Sequence, residues 1–214
     1  MRPVRLPRCL VAVLTLAASA VIAHAQVIEY ETNGIRYQTT TRAGLTVIVT
    51  QLAAQVAGFG MIQVSISNGG STAQFVRPKD FSYVRPELSS SALDAGQVVD
   101  LLLGKASSSD VVKLVTSYES SLYGIPNMRT NNGYEQRRQN FMSYGMPARL
   151  KAAATASAIA LADTKLAPGQ STDGAVFIPL SELKTLSGGH IVFRCAGEIF
   201  TFNPDPISGP IRNP

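Results

Sequence analysis

The sequence predicts a mainly β protein with a helical insertion, of α+β type: an antiparallel β-sandwich interrupted by about four helices. Three observations carry this. Residues 35–84 alternate polar and apolar side chains with period two. After Pro86 the apolar residues take the wider spacing of amphipathic helices. Past Ala167-Pro168-Gly169-Gln170 the chain returns to short strand-like runs. Neither strand group alone offers enough strands to close two sheets. Both are therefore assigned to one sandwich, residues 26–87 and 165–203, with 88–164 as the helical insertion and 204–214 as an irregular tail. Two side-by-side domains are the alternative.

The chain begins with a segment that does not belong to this fold. Arg2, Arg5 and Arg8 precede an uncharged run from Cys9 to Ala23 and the small-residue pattern Ala23-His24-Ala25. That succession reads as a secretory signal peptide over residues 1–25, too short for a comfortable span and followed by polar Gln26, Glu29 and Glu31. No integral membrane span is expected after cleavage. The cut takes three of the 19 basic residues and none of the 14 acidic ones, so the net charge falls from +5 to +2. The remaining charges are scattered, with Arg137-Arg138 the one adjacent like pair, which argues against nucleic acid as a partner.

The strand elements follow in order. Ile35, Tyr37 and Thr39 alternate with Arg36, Gln38 and Thr40, and Leu45 to Thr50 is a β-branched run with Val47 and Val49 on one face. The clearest strand is Met61 to Ser67, where Ile62, Val64 and Ile66 point inward and Gln63, Ser65 and Ser67 outward, half-buried. Asn33-Gly34 and Asn68-Gly69-Gly70 mark turns. Phe75-Val76 and Phe81 to Val84 flank a proline turn.

The insertion opens with a helix from Ala92 to Leu103 that groups Ala95, Val98, Val99, Leu102 and Leu103. A second, from Asp110 to Leu122, has Ser109 placed to cap it and a stripe of Val111, Leu114, Val115, Tyr118 and Leu122. The third runs from Tyr134 to Tyr144 and an alanine-rich fourth from Ala148 to Ala162. The later strands are Ala175 to Ile178, His190 to Cys195 and Ile199 to Phe202, the last two joined by Ala196-Gly197. The expected sandwich core is Ile62, Val64, Ile66, Phe177, Ile191 and Phe193.

Several of these runs carry a resemblance. Gly44-Leu-Thr-Val-Ile-Val, Met61-Ile-Gln-Val-Ser-Ile-Ser-Asn, Phe75-Val76 with Pro78 and Phe81, Leu166-Ala-Pro-Gly-Gln-Ser and Gly174-Ala-Val-Phe-Ile-Pro are motifs in one order. Together they resemble the immunoglobulin-like domains of unknown function in small secreted bacterial proteins. The helical stretch departs from that pattern, and the resemblance brings no catalytic residues.

Composition removes most chemistry. Without Cys9 and His24, the mature chain has a single cysteine, Cys195, and a single histidine, His190. No intrachain disulfide and no multiple Cys/His metal site can be assembled, so no metal and no cofactor are expected. His190 and Cys195 are five apart on one strand and point to opposite faces. Cys195 shares its face with Ile191 and Phe193 and is read as a buried thiol, His190 as an exposed turn residue. Ser181-Glu-Leu-Lys184 has the Ser-x-x-Lys spacing in which a lysine one turn away can take the serine proton, but no Ser-Asp-Asn or Lys-Thr-Gly element accompanies it. Asp80, Glu87 and Asp94 read as solvated or capping groups.

The third helix offers a binding face: Tyr134, Arg137, Arg138, Phe141 and Tyr144 fall on one arc, in the aromatic and arginine composition of contact surfaces. The competing reading packs the aromatics inward with the arginine stems around them. The expected function is a non-catalytic binding or structural module of the bacterial envelope, secreted or periplasmic, with an envelope or surface protein as partner and oligomers allowed. The alternatives are a serine hydrolase using Ser181 and Lys184, or an assembly subunit of the envelope or of an appendage.

Overall fold

The computed structural model describes residues 26–125, 134–141, 145–180 and 185–204, without the side chains of residues 53, 54, 135, 138, 140 and 141. The expected signal peptide, Tyr144, and Ser181 with Lys184 lie outside these residues.

The described chain is mainly β. Strands β1 (Ile28–Thr32), β2 (Ile35–Arg42), β3 (Leu45–Val56) and β4 (Phe59–Asn68) form a meander, and β9 (Ser171–Pro179) pairs with β4 to complete a five-stranded antiparallel sheet. A second sheet has the order β11 (Glu198–Phe202), β10 (His190–Cys195), β6 (Phe81–Arg85), β7 (Leu88–Ser91). A two-stranded ribbon pairs β5 (Gln74–Val76) with β8 (Thr164–Leu166). Strands from before and after the helices thus share both main sheets.

The meander has this tightness because of its turns. Asn33-Gly34, Ala43-Gly44 and Ala57-Gly58 link β1 to β4, and Ala196-Gly197 links β10 to β11; both residues of each pair have positive φ. Two consecutive left-handed residues match the right-handed twist of the flanking strands. The sequence marked Asn33-Gly34 and Ala196-Gly197 as turns but not Ala43-Gly44 or Ala57-Gly58, although all three alanines adopt the same left-handed conformation.

Leu45, Val47 and Val49 of β3, Ile62, Val64 and Ile66 of β4, and Val176 and Ile178 of β9 face Phe81, Tyr83, Ile191, Phe193, Phe200 and Phe202 of the second sheet in one apolar core. Phe81 and Phe193 stack with ring centres 4.2 Å apart.

The opposite face of the five-stranded sheet is covered by helices α1 (Ala95–Lys105), α2 (Ser108–Leu122), α3 (Tyr134–Phe141) and α4 (Ala148–Ile159). The helical insertion therefore packs on the sheet. Ala152, Ala153, Ala156 and Ala158 of α4 are buried, and their small side chains let that helix sit closely against α1 and α2. Leu161 N–H donates to the Ala175 carbonyl at 2.9 Å, tying the end of the helical segment to β9.

Five expectations change. The β4 strand is not half-buried: Gln63 and Ser65 lie under the helices, 1% and 5% exposed. Phe177 belongs to the helix-facing core instead of the core between the sheets, because β9 is apolar on both sides and its alternation did not reveal which face was which. The strand segment does not end at residue 87, since Pro86-Glu87 is a turn and β7 pairs back on β6. On the other side of the helices, Thr164 already begins a strand. The α2 cap is Ser107, not Ser109: its backbone N–H and hydroxyl both donate to the Asp110 carboxylate, at 2.8 and 2.7 Å. Asp94 caps α1 in a complete capping box with Gln97, as a capping role required.

Candidate functional site

Two places concentrate polar groups. The first lies between the helices and the five-stranded sheet. Tyr37 of β2 donates its hydroxyl to the Ser121 carbonyl at 2.7 Å, and Tyr118 of α2 donates to Asp173 Oδ2 of β9 at 2.8 Å. Tyr134 packs its ring on Tyr118, 4.9 Å between centres, and donates to Glu119 Oε1 at 2.9 Å. These pairings offset the cost of covering polar atoms, although Gln63 Oε1 is buried without a hydrogen-bond partner.

Burial pushes the Asp173 carboxyl up from its ordinary value, opposed by the Tyr118 hydrogen bond and by the charge of Arg137. Burial also pushes the Tyr37 phenol up to about 12, aided by Tyr30 stacked 5.1 Å away. Asp173 is 3% exposed and accepts from Tyr118. The arrangement joins layers.

The second place is a cleft of about 640 Å³ where β2 and β3 part. Their register runs from Arg42↔Leu45 to Gln38↔Val49 and stops there, while β2 stays paired with β1 and β3 with β4. Thr50 bridges the start of the gap by donating its hydroxyl to the Arg36 carbonyl. The walls are aliphatic, with Ile35, Val49, Leu52, Ile62 and Ile191, and Phe202 adds one aromatic edge. Thr116, Ser117 and Ser120 of α2 add hydroxyls from the helical side, and Gln38, Gln51 and Asn203 add amides. Gln38 is engaged at both ends of its amide, donating to Glu29 Oε1 at 2.5 Å and accepting from the Asn203 N–H at 2.8 Å. Gln51 Oε1 is shut off from solvent without a hydrogen-bond partner. Glu31 and Arg36, opposite each other in the β1–β2 register, are the charged residues of the lining.

Those residues singled out by the sequence whose side chains the structure describes fall elsewhere. Tyr134 is interior, 1% exposed, so it packs the helical layer and offers no surface. Arg137 is exposed and its guanidinium donates to the Ala158 carbonyl at 2.8 Å, near the end of α4. The side chains of Arg138 and Phe141, and all of Tyr144, lie outside what the structure describes. Cys195 is buried with its Sγ 3.4 Å from the Phe75 carbonyl, and its thiol is pushed up by burial first and Asp80 second. His190 is exposed on the other face of the same strand. Among the described residues no group of three His, Cys, Asp or Glu side chains is placed to hold a metal, and no helix is long and apolar enough to cross a membrane.

The cleft had no signal in the sequence. It arises from a pairing that stops, and the Ile35 to Thr41 and Leu45 to Thr50 runs both continue their alternation to the point of divergence. Compared with protein-family models, curated proteins and solved structures, the chain matches none.

Proposed function

We propose that this chain is a non-catalytic binding module of the bacterial cell envelope, exported by the segment 1–25 and built on an immunoglobulin-like sandwich. The observation that carries the binding role is the cleft: its volume lies in the range of small-molecule sites, its walls are apolar, and a few polar groups converge on it. The immunoglobulin-like reading is supported by two antiparallel sheets sharing one core; the hairpin meander β1 to β4 and the helical layer depart from that pattern. The non-catalytic reading is supported by a cysteine and a histidine turned to opposite faces of one strand and, among the described residues, by a cleft lining that holds neither of them.

The test is a cleft-filling variant. Mature protein purified from its native host carries a small molecule detectable by mass spectrometry of an organic extract, and Ser117→Trp, folded to the same melting temperature, does not. Identical extracts from both proteins, empty or not, overturn the binding reading. Stoichiometric labelling of Ser181 by a fluorophosphonate or a penicillin probe overturns the non-catalytic one.

A further inference from the structure

The cleft is charged at one end and apolar at the other, and the inference drawn from that rests on the binding reading above. Glu31 and Arg36 stand opposite each other in the β1–β2 register, and both line the cleft. Two residues along the same strands, Glu29 and Gln38 share a face, and Gln38 accepts from Asn203 just past β11 of the second sheet. Strand alternation therefore turns Glu31 and Arg36 to that same face, toward the second sheet.

The row continues across the gap between the strands. Carried two residues beyond its last pair, the β2–β3 register puts Arg36 across from Gln51, and Gln51 pairs with Ile62. Glu31, Arg36, Gln51 and Ile62 thus form one transverse line on one face of the sheet: an acid, a base, an amide and a hydrocarbon. Paired strands lie about 4.8 Å apart and the parted pair lies farther, so Ile62 is about 10 Å or more from Arg36 along this line. Ile191 and Phe202 of the second sheet, both buried, join Ile62 at the apolar end.

The charged end selects by sign. Glu31 is exposed and, among the described residues, takes part in no ion pair. A ligand with a carboxylate alone is attracted by Arg36 and repelled by Glu31, and a ligand with an ammonium alone meets the reverse. A head that carries both charges side by side is attracted by both residues. The apolar end takes hydrocarbon, which sets the direction in which the ligand lies.

We infer that the cleft takes a free α-amino acid with an extended aliphatic side chain. Its ammonium lies at Glu31, its carboxylate at Arg36, and its side chain runs toward Ile62, Ile191 and Phe202.

Isothermal titration of the full mature chain with L-norleucine tests this. The comparators are hexanoate and pentylammonium, each of which keeps one of the two charges, and glycine, which keeps the head without the side chain. Norleucine binds about tenfold more tightly than any of the three. Glu31→Gln lowers norleucine affinity about tenfold and raises that of hexanoate, because the repelling charge is gone. Arg36→Gln lowers norleucine affinity and raises that of pentylammonium. Loss of fold does not produce these opposed changes, since it weakens every ligand together. Any comparator binding as tightly as norleucine, or a norleucine affinity that Glu31→Gln leaves unchanged, overturns the ligand assignment but leaves the cleft a binding site. No binding of any of the four probes also overturns the ligand assignment; together with identical organic extracts from wild type and Ser117→Trp, it overturns the binding reading as well.

Discussion

Tyr118 on α2 and Asp173 on β9 are 55 residues apart in the chain and meet in a 2.8 Å hydrogen bond beneath the helical layer. The phenol donates and the carboxyl accepts, in a place where Asp173 is almost wholly removed from water. That bond ties the helices to the five-stranded sheet, and the raised carboxyl pKa makes the Asp173 contribution to stability depend on pH.

Burial raises the Asp173 pKa above its ordinary value of 3.8, so the folded chain keeps this proton to higher pH than the unfolded chain does. Between the two values the folded state binds more protons, and stability falls as pH rises until the folded-state value is passed. Below 3.8 both states are protonated and the contribution is constant. Asp173→Asn keeps an oxygen for Tyr118 and has no proton to lose. The expected outcome is that the stability difference between Asp173→Asn and wild type grows with pH through that window and is flat on either side. Urea unfolding at a series of pH values measures it, and a difference independent of pH contradicts the assignment.

The hairpins suggest a gain. Ala43 and Ala196 occupy left-handed conformations, φ 46° and 55°, at exposed turn positions. Asparagine tolerates that region far better than alanine. Ala43→Asn and Ala196→Asn should each stabilise the fold by about 0.5 to 1 kcal/mol, read as a higher denaturation midpoint with unchanged slope.

Gly174 shows the opposite constraint. A Cβ there would lie 2.5 Å from the Leu161 Cα, where the chain leaving α4 crosses β9. Gly174→Ala must push two backbones apart, at a cost of about 2 to 4 kcal/mol. At Gly34 a Cβ meets nothing, so Gly34→Asn is the control: its positive φ suits asparagine, and stability should change by no more than about 0.5 kcal/mol.

Phe177 anchors the helical layer, 1% exposed and edge-on to Phe59 with ring centres 6.3 Å apart. Phe177→Ala should cost about 3 to 5 kcal/mol. In hydrogen exchange the loss should appear first as faster exchange in α1, α2 and α4, while the Phe81–Phe193 stack between the sheets keeps its protection.

Arg137 separates the two readings of the third helix. Its bond to the Ala158 carbonyl satisfies the end of α4, so Arg137→Ala should lower stability by about 1 kcal/mol. A variant that leaves the melting temperature unchanged and weakens association with a partner protein would instead return Arg137 to a contact surface.

The sequence by itself determined the kind of the longer elements, though not of the short strands β1, β7 and β8. Period two at Ile62, Val64 and Ile66 and helical spacing at Val98 and Leu102, or at Leu114, Val115 and Tyr118, are local patterns, and all of these residues are buried as those patterns require. It also determined that Cys195 turns inward and His190 outward, since strand geometry alternates residue by residue. Only the tertiary structure decided what covers each face. Gln63 and Ser65 look solvent-facing in a strand taken alone, yet they are buried, because helices that follow some thirty residues later return to that face. Phe177 could join either core until the helices occupied one side of β9. The cleft depends on where β2 leaves β3, a matter of how two sheets and a helical layer twist against one another, and no window of neighbouring residues contains that information.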